Sequence, residues 1–195
     1  MNDEARIDER IDGSLAAIGS LRDQIGQITE ITAEVYDCLH SGGTLYTAGN
    51  GGSAAQALHL AQELIGRYRG DRPAQRAICL NADPTALTCI GNDYGYEYVF
   101  SRQVEALVKP VDILLVLSTS GVSQNIVNAL QTVQQRGAAT IGLLGGDGGT
   151  CRELCDHAVI VPGNDSAHIQ EAHQVVIHLI CEIIEQRVLA EAAVR

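Results

Sequence analysis

The chain has 195 residues, 46% apolar and 19% charged, a balance that predicts one globular domain with a sizeable core and excludes a disordered chain. A formal charge of −11 excludes a protein that wraps nucleic acid on a basic face, yet leaves room for one anionic group held by backbone N–H groups and hydroxyls. With no Trp and one Phe, the core falls to Ile, Leu, Val and Ala.

In chain order, the first forty residues place Ile7, Ile11, Leu15, Ile18, Leu21, Ile25, Ile28, Ile31, Val35 and Leu39 at steps of three or four, the period of an amphipathic helix. Gly13, Gly19 and Gly26 weaken that helix, so one bent helix and two shorter ones both fit. A stripe this long is expected to pack on another copy of the chain; covering its own sheet is the alternative. Residues 1–9 are charged and no apolar run reaches 18 residues, which predicts a cytoplasmic protein with no membrane partner. The cysteines (Cys38, Cys79, Cys89, Cys151, Cys155, Cys181) form no C-x₂-C pair and read as reduced thiols.

From residue 44 the pattern changes to short apolar runs of strand length at 44–48, 77–80, 113–117, 140–144 and 158–161. Between and after them lie helical stretches at 53–67, 97–108, 123–136 and 166 to about 192. Such alternation implies a parallel sheet with helices on both faces. No linker or repeat divides the chain, so 1–195 reads as one domain: a helical segment over 1–42 and an α/β core over 43–195.

Two strand-to-helix junctions carry the chemistry. One reads Gly49-Asn50-Gly51-Gly52-Ser53, the other Ser118-Thr119-Ser120-Gly121-Val122-Ser123. Glycines admit a ligand close to the backbone, helix N-termini present free N–H groups, and hydroxyls add donors, so both suit a phosphate. Either alone is equally a tight turn with an N-capping serine. The first also fits a G-x-G-x-x-A dinucleotide fingerprint, and the lack of a following lysine excludes a Walker A loop. Further on, His59 and Glu63 stand four apart on one helical face, and Gln170 and His178 two turns apart on another. Imidazole and carboxylate so spaced can bind zinc, or can be a solvated face and a hydrogen-bonded core histidine.

Five strings in order then carry a resemblance: Ala48-Gly49-Asn50-Gly51-Gly52-Ser53, Glu63-Leu64-Ile65-Gly66-Arg67-Tyr68, Asn92-Asp93-Tyr94-Gly95, Ser118-Thr119-Ser120-Gly121-Val122-Ser123 and Ile169-Gln170-Glu171-Ala172-His173. The chain resembles the sugar isomerase (SIS) fold and, within it, the bacterial phosphoheptose isomerases, from the N-terminal helix to about Gln186. The resemblance implies a three-layer αβα sandwich with a central five-stranded, mostly parallel sheet. It also implies conversion of sedoheptulose 7-phosphate to D-glycero-D-manno-heptose 7-phosphate or its anomers, with isomerisation of another phosphosugar as the alternative, and a homotetramer with active sites between subunits. His59, Glu63, Gln170 and His178 would hold about one Zn²⁺ per subunit. Ser53, Ser118, Thr119, Ser120 and Ser123 would hold the phosphate, and Asn50, Gly51 and Gly52 would line the sugar. Asn92 and Asp93 would meet substrate hydroxyls, and Arg67 would add positive charge. Aldose–ketose isomerisation needs a base beside two adjacent carbons and a group serving their oxygens, roles that fall to Glu63 and His178. Relatives that instead bind the bacterial replication initiator lack the glutamate and second histidine; both are present here. The connection Asn81-Ala82-Asp83-Pro84 reads as slightly longer than the family pattern.

Overall fold

The structure, a computed structural model, describes residues 2–192. Two helices come first: α1 (Asp3–Gly19) and α2 (Ile25–His40), joined by a 3-10 turn over Ser20–Gln24. The break falls at Gly19, so of the two arrangements the glycines allow, the chain takes two helices. The apolar stripe divides with it. Ile28, Ile31, Val35 and Leu39 of α2 are buried on the sheet, whereas Ile7, Ile11, Leu15 and Ile25 are exposed.

The α/β core follows in the order β1 (Leu45–Gly49), α3 (Gly52–Ile65), β2 (Ala77–Cys79), α4 (Pro84–Asp93), α5 (Ser101–Leu107), β3 (Ile113–Ser118), α6 (Gln124–Arg136), β4 (Ala139–Gly145), α7 (Gly149–Leu154), β5 (His157–Val161) and α8 (Ser166–Ala192). The strands pair in the order β2-β1-β3-β4-β5, and every pair is parallel. Residues on β3 alternate between two cores. Leu115 packs with Leu60 and Ile177 on one side, Leu114 and Val116 with Val104 and Ile126 on the other. Both faces are therefore covered by helices, giving three layers.

Two differences from the sequence reading are local. The stretch 97–108 is not one helix but a 3-10 turn at Tyr96–Tyr98 followed by α5. The short helices α4 and α7 were not expected. Asp83 caps α4 by accepting from the N–H of Thr85 (2.8 Å) and Ala86 (3.1 Å), with Pro84 at the first helical position. The connection 81–84 is thus tightly built: Asn81 also bonds both the N–H (3.2 Å) and the C=O (3.0 Å) of Gly49.

The strand order reverses between β1 and β3, because the chain runs outward to β2 and then returns to the other side of β1. At such a switch point two strand-to-helix loops diverge and leave a crevice at the carboxyl ends of the strands. Those two loops are 49–53 and 118–123.

Candidate active site

In the first loop Gly51 takes φ +57°, a conformation that favours glycine, and turns the chain from β1 into α3. Helix α3 has no side-chain cap, and neither has α6, whose N-cap is Ser123. The N–H groups of Ser53 and Ala54 donate to the Asn50 and Gly51 carbonyls and that of Ile126 to Ser123, so the amides left for an anion are those at the very start of each helix, Gly52, Gln124 and Asn125. Gly52 lies beneath the Gln170 amide: a Cβ there would sit 2.6 Å from Gln170 Oε1. Asn50 and Asn125 bond each other reciprocally at 2.9 and 2.8 Å, and Tyr96 Oη donates to Asn50 Oδ1 at 3.0 Å.

In the second loop Ser118 Oγ accepts from the N–H of Gly121 at 3.0 Å, and Ser120 Oγ accepts from that of Val122 at 3.4 Å. As acceptors, both hydroxyls keep their own hydrogens to donate. Thr119 Oγ1 stands 3.2 Å from Ser166 Oγ at the start of α8, so the loop and that helix share one polar edge.

Helices α3 and α8 face each other along one side of this crevice. From α3 come Gln56, His59 and Glu63; from α8 come Gln170, Gln174 and His178, each set at three- or four-residue spacing. His59 Nε2 is 3.2 Å from Glu63 Oε1, and the carboxylate is only 16% exposed. The His59 and His178 rings meet edge to face at 5.4 Å, with Tyr68 tilted over His178 at 5.8 Å. Gln174 Nε2 stands 3.0 Å from His178 Nε2 and 3.4 Å from His59 Nδ1. Gln56 Nε2 donates to the Gln170 carbonyl at 2.7 Å, tying the two helices one turn earlier.

Among the described residues, no three His, Cys, Asp or Glu side chains converge as a ready-made metal cage. The donor set still fits zinc. Two imidazoles and a carboxylate are donor types that zinc takes: His59 Nδ1 and His178 Nε2 both face the Gln174 amide, while Glu63 stands at the other ring nitrogen of His59.

The fold thus brings together His59, Glu63 and His178, and separately gathers Asn50, Gly51, Gly52, Ser53, Ser118, Thr119, Ser120 and Ser123 at the switch point. Gln170 lies nearer the loops, over Gly52. Arg67, Asn92 and Asp93 are exposed, and Asn92 Nδ2 donates to Asp93 Oδ1 at 2.7 Å without joining the network around Asn50. Gln174, Gln56, Asn125 and Tyr96 did not emerge from the sequence. Gln174 had a signal, since it sits midway between Gln170 and His178 on the same face.

A doubly covered parallel sheet, uncapped phosphate-type loops at its switch point and a carboxylate–imidazole cluster beside them define an α/β protein of the SIS class. A SIS domain model matches residues 14–145. The phosphoheptose isomerase of Pelobacter propionicus is 46% identical over 169 residues, covering 87% of this chain and 89% of that one. Phosphoheptose isomerase 1 of Campylobacter jejuni is 48% identical over 161 residues, 83% of this chain and 87% of its own. The solved structure of a phosphoheptose isomerase from Francisella tularensis superposes with a TM-score of 0.92 at 33% identity, over 95% of this chain and all of the other. The chain belongs to the phosphoheptose isomerases of the SIS-domain family.

Proposed function

We propose that the chain is a zinc-dependent aldose–ketose isomerase that converts sedoheptulose 7-phosphate to D-glycero-D-manno-heptose 7-phosphate through an enediol. The observation that carries this reading is the Glu63–His59–His178 cluster lying beside a glycine-rich and a hydroxyl-rich loop, each leading into a helix with no side-chain cap. The phosphate is held by Ser53, Ser118, Thr119, Ser120, Ser123 and the leading amides of α3 and α6. Asn50, Gly51 and Gly52 line the sugar, and Asn92, Asp93 and Arg67 serve its outer hydroxyls and charge.

Glu63 removes a proton from C1 of the ketose. As the C1–H electron pair becomes the C1–C2 double bond, the C2 carbonyl oxygen takes a proton from His178, and the enediol forms. His178 then accepts the proton of the C1 hydroxyl while Glu63 returns its proton to C2, which leaves an aldehyde at C1. His178 also serves the ring oxygen when the cyclic sugar opens. His59, Glu63 and His178 would hold the zinc, with the neutral Gln170 amide, which lies over Gly52 nearer the loops, as the fourth donor, and the ion would supply positive charge beside the substrate oxygens. The subunits assemble as a homotetramer through the exposed apolar face of α1.

Assays on five- to seven-carbon ketose phosphates, with and without chelator, test this reading together with metal analysis. Turnover of the seven-carbon substrate and about one zinc per subunit are expected, with His59→Ala and His178→Ala each lowering that occupancy. A metal-free protein whose turnover ignores added zinc would remove the metal from the scheme; no turnover on any ketose phosphate would remove the isomerase.

A further inference from the structure

The stretch between α3 and β2 holds a buried ion pair that the reaction does not call for. Arg72 has a fully buried side chain and Glu185, on α8, is 7% exposed. The guanidinium donates from Nη2 to the carbonyl of Glu63 at 2.7 Å and from Nη1 to that of Leu64 at 2.9 Å. These carbonyls belong to the last turn of α3, where helical partners run out. The Glu185 carboxylate accepts three consecutive N–H groups, from Tyr68 (3.1 Å), Arg69 (3.1 Å) and Gly70 (2.8 Å), and stands 3.5 Å from Arg72 Nε. Burial opposes its ionisation, but these N–H groups and the guanidinium outweigh that and hold the carboxyl below its ordinary range.

A buried pair of this kind is a poor stabiliser, because desolvation of both ions offsets their attraction. Its value here is geometric. One end grips the main chain of Glu63 itself. The other grips Tyr68, whose ring packs on His178, from a point seven residues (two turns) further along the helix that bears His178.

We propose that Arg72 and Glu185 are positioning residues: a buried strut that fixes the end of α3 to α8 and so sets Glu63 against His178. The inference rests on the isomerase reading for its kinetic consequence but not for its structural one.

The test separates fold from turnover. Arg72→Lys keeps the charge but gives up the planar fork that spans two carbonyls; Glu185→Gln keeps the shape but loses the charge. Both are expected to fold, with kcat for sedoheptulose 7-phosphate at least about tenfold lower and KM changed less than about threefold. In substrate-free protein the imidazole nitrogen resonances of His59 and His178 shift in both variants. Should Glu185→Gln fail to fold, Arg72→Lys carries the test. Folded variants with wild-type kcat and unmoved imidazole signals overturn the strut. If the wild type itself turns over no ketose phosphate, the isomerase reading fails and the imidazole signals alone decide the strut.

Discussion

Glu63 keeps its carboxylate a hydrogen bond from His59 on a rigid helical face, so a change of one atom tests it as base once zinc occupancy of the variant is measured alongside. Glu63→Gln preserves size and hydrogen bonding and removes the basic oxygen. Turnover should fall by about 10²–10⁴ with the circular dichroism spectrum unchanged, and full activity would exclude Glu63 as the base. Ser120→Ala acts differently. Its Oγ receives only a long bond from Val122, so the fold loses little, while a phosphate loses a donor worth roughly 1.5–3 kcal/mol. The expected result is a raised KM and weaker inorganic phosphate binding at unchanged thermal stability. His173 gives a pH prediction. Burial pushes its imidazole down to about 4, against a weaker opposing hydrogen bond between Nε2 and the Leu144 carbonyl at 3.2 Å, while Nδ1 has no partner. Once unfolded, a histidine takes up its proton near pH ~6.5, so between there and about 4 the unfolded chain binds more protons. Stability therefore drops as pH falls through that window, by up to about 1.4 kcal/mol per unit, and urea unfolding of His173→Gln should show a shallower slope. At this scale the sequence was legible where chemistry and period coincide, as with His59 and Glu63. Gln174 shares the period of Gln170 and His178, but an amide announces no chemistry. Arg72 lies in an irregular stretch with no period at all, and nothing in its surroundings signals that it is buried.

Elements were legible in proportion to their length and burial. The inner strands β1 and β3 are buried at every position and the edge strands β2 and β5 are short apolar runs, so all five stand out, whereas α7 has only six residues and begins on glycines, too short for a helical period to register. The two loops at the switch point were legible as glycine and hydroxyl clusters, but the partner that shapes the second one was not. Gly121, at φ +65°, packs against the β4–α7 connection so closely that a Cβ would lie 2.1 Å from the Gly148 carbonyl oxygen. Gly137, at φ +72° after α6, has nothing within 4 Å of the same position. Alanine at Gly137 therefore meets only left-handed strain of roughly 1–2 kcal/mol. At Gly121 the same strain is joined by displacement of a neighbouring backbone, for a total of about 3 kcal/mol or more. Denaturant unfolding should rank Gly121→Ala well below Gly137→Ala, and only the former should also weaken phosphate binding. Equal losses at the two sites would mean that the loops do not interlock.

Across the whole molecule, the face left open connects assembly to the reacting helix. Leu15 is 62% exposed, and beside it Ile18, Leu21, Ile25 and Ile28 form an apolar groove closed by Val175 and Leu179 of α8. Those last two residues flank His178 in the chain, so whatever covers the groove also restrains the helix that bears the proposed acid. A second copy offering the same surface satisfies both demands, since a self-complementary patch closes under two-fold symmetry. Burying apolar side chains there contributes about 1.5–3 kcal/mol each, and a carboxylate placed among them reverses the sign. Because Leu15 is exposed within its own subunit, Leu15→Glu should leave the monomer folded while shifting light-scattering mass from that of the proposed tetramer toward smaller species. Turnover per subunit should fall with it and recover as protein concentration is raised. A Leu15→Glu protein that stays tetrameric at full activity would show that another surface joins the subunits. A monomer at full activity would show that α8 needs no support from a neighbour.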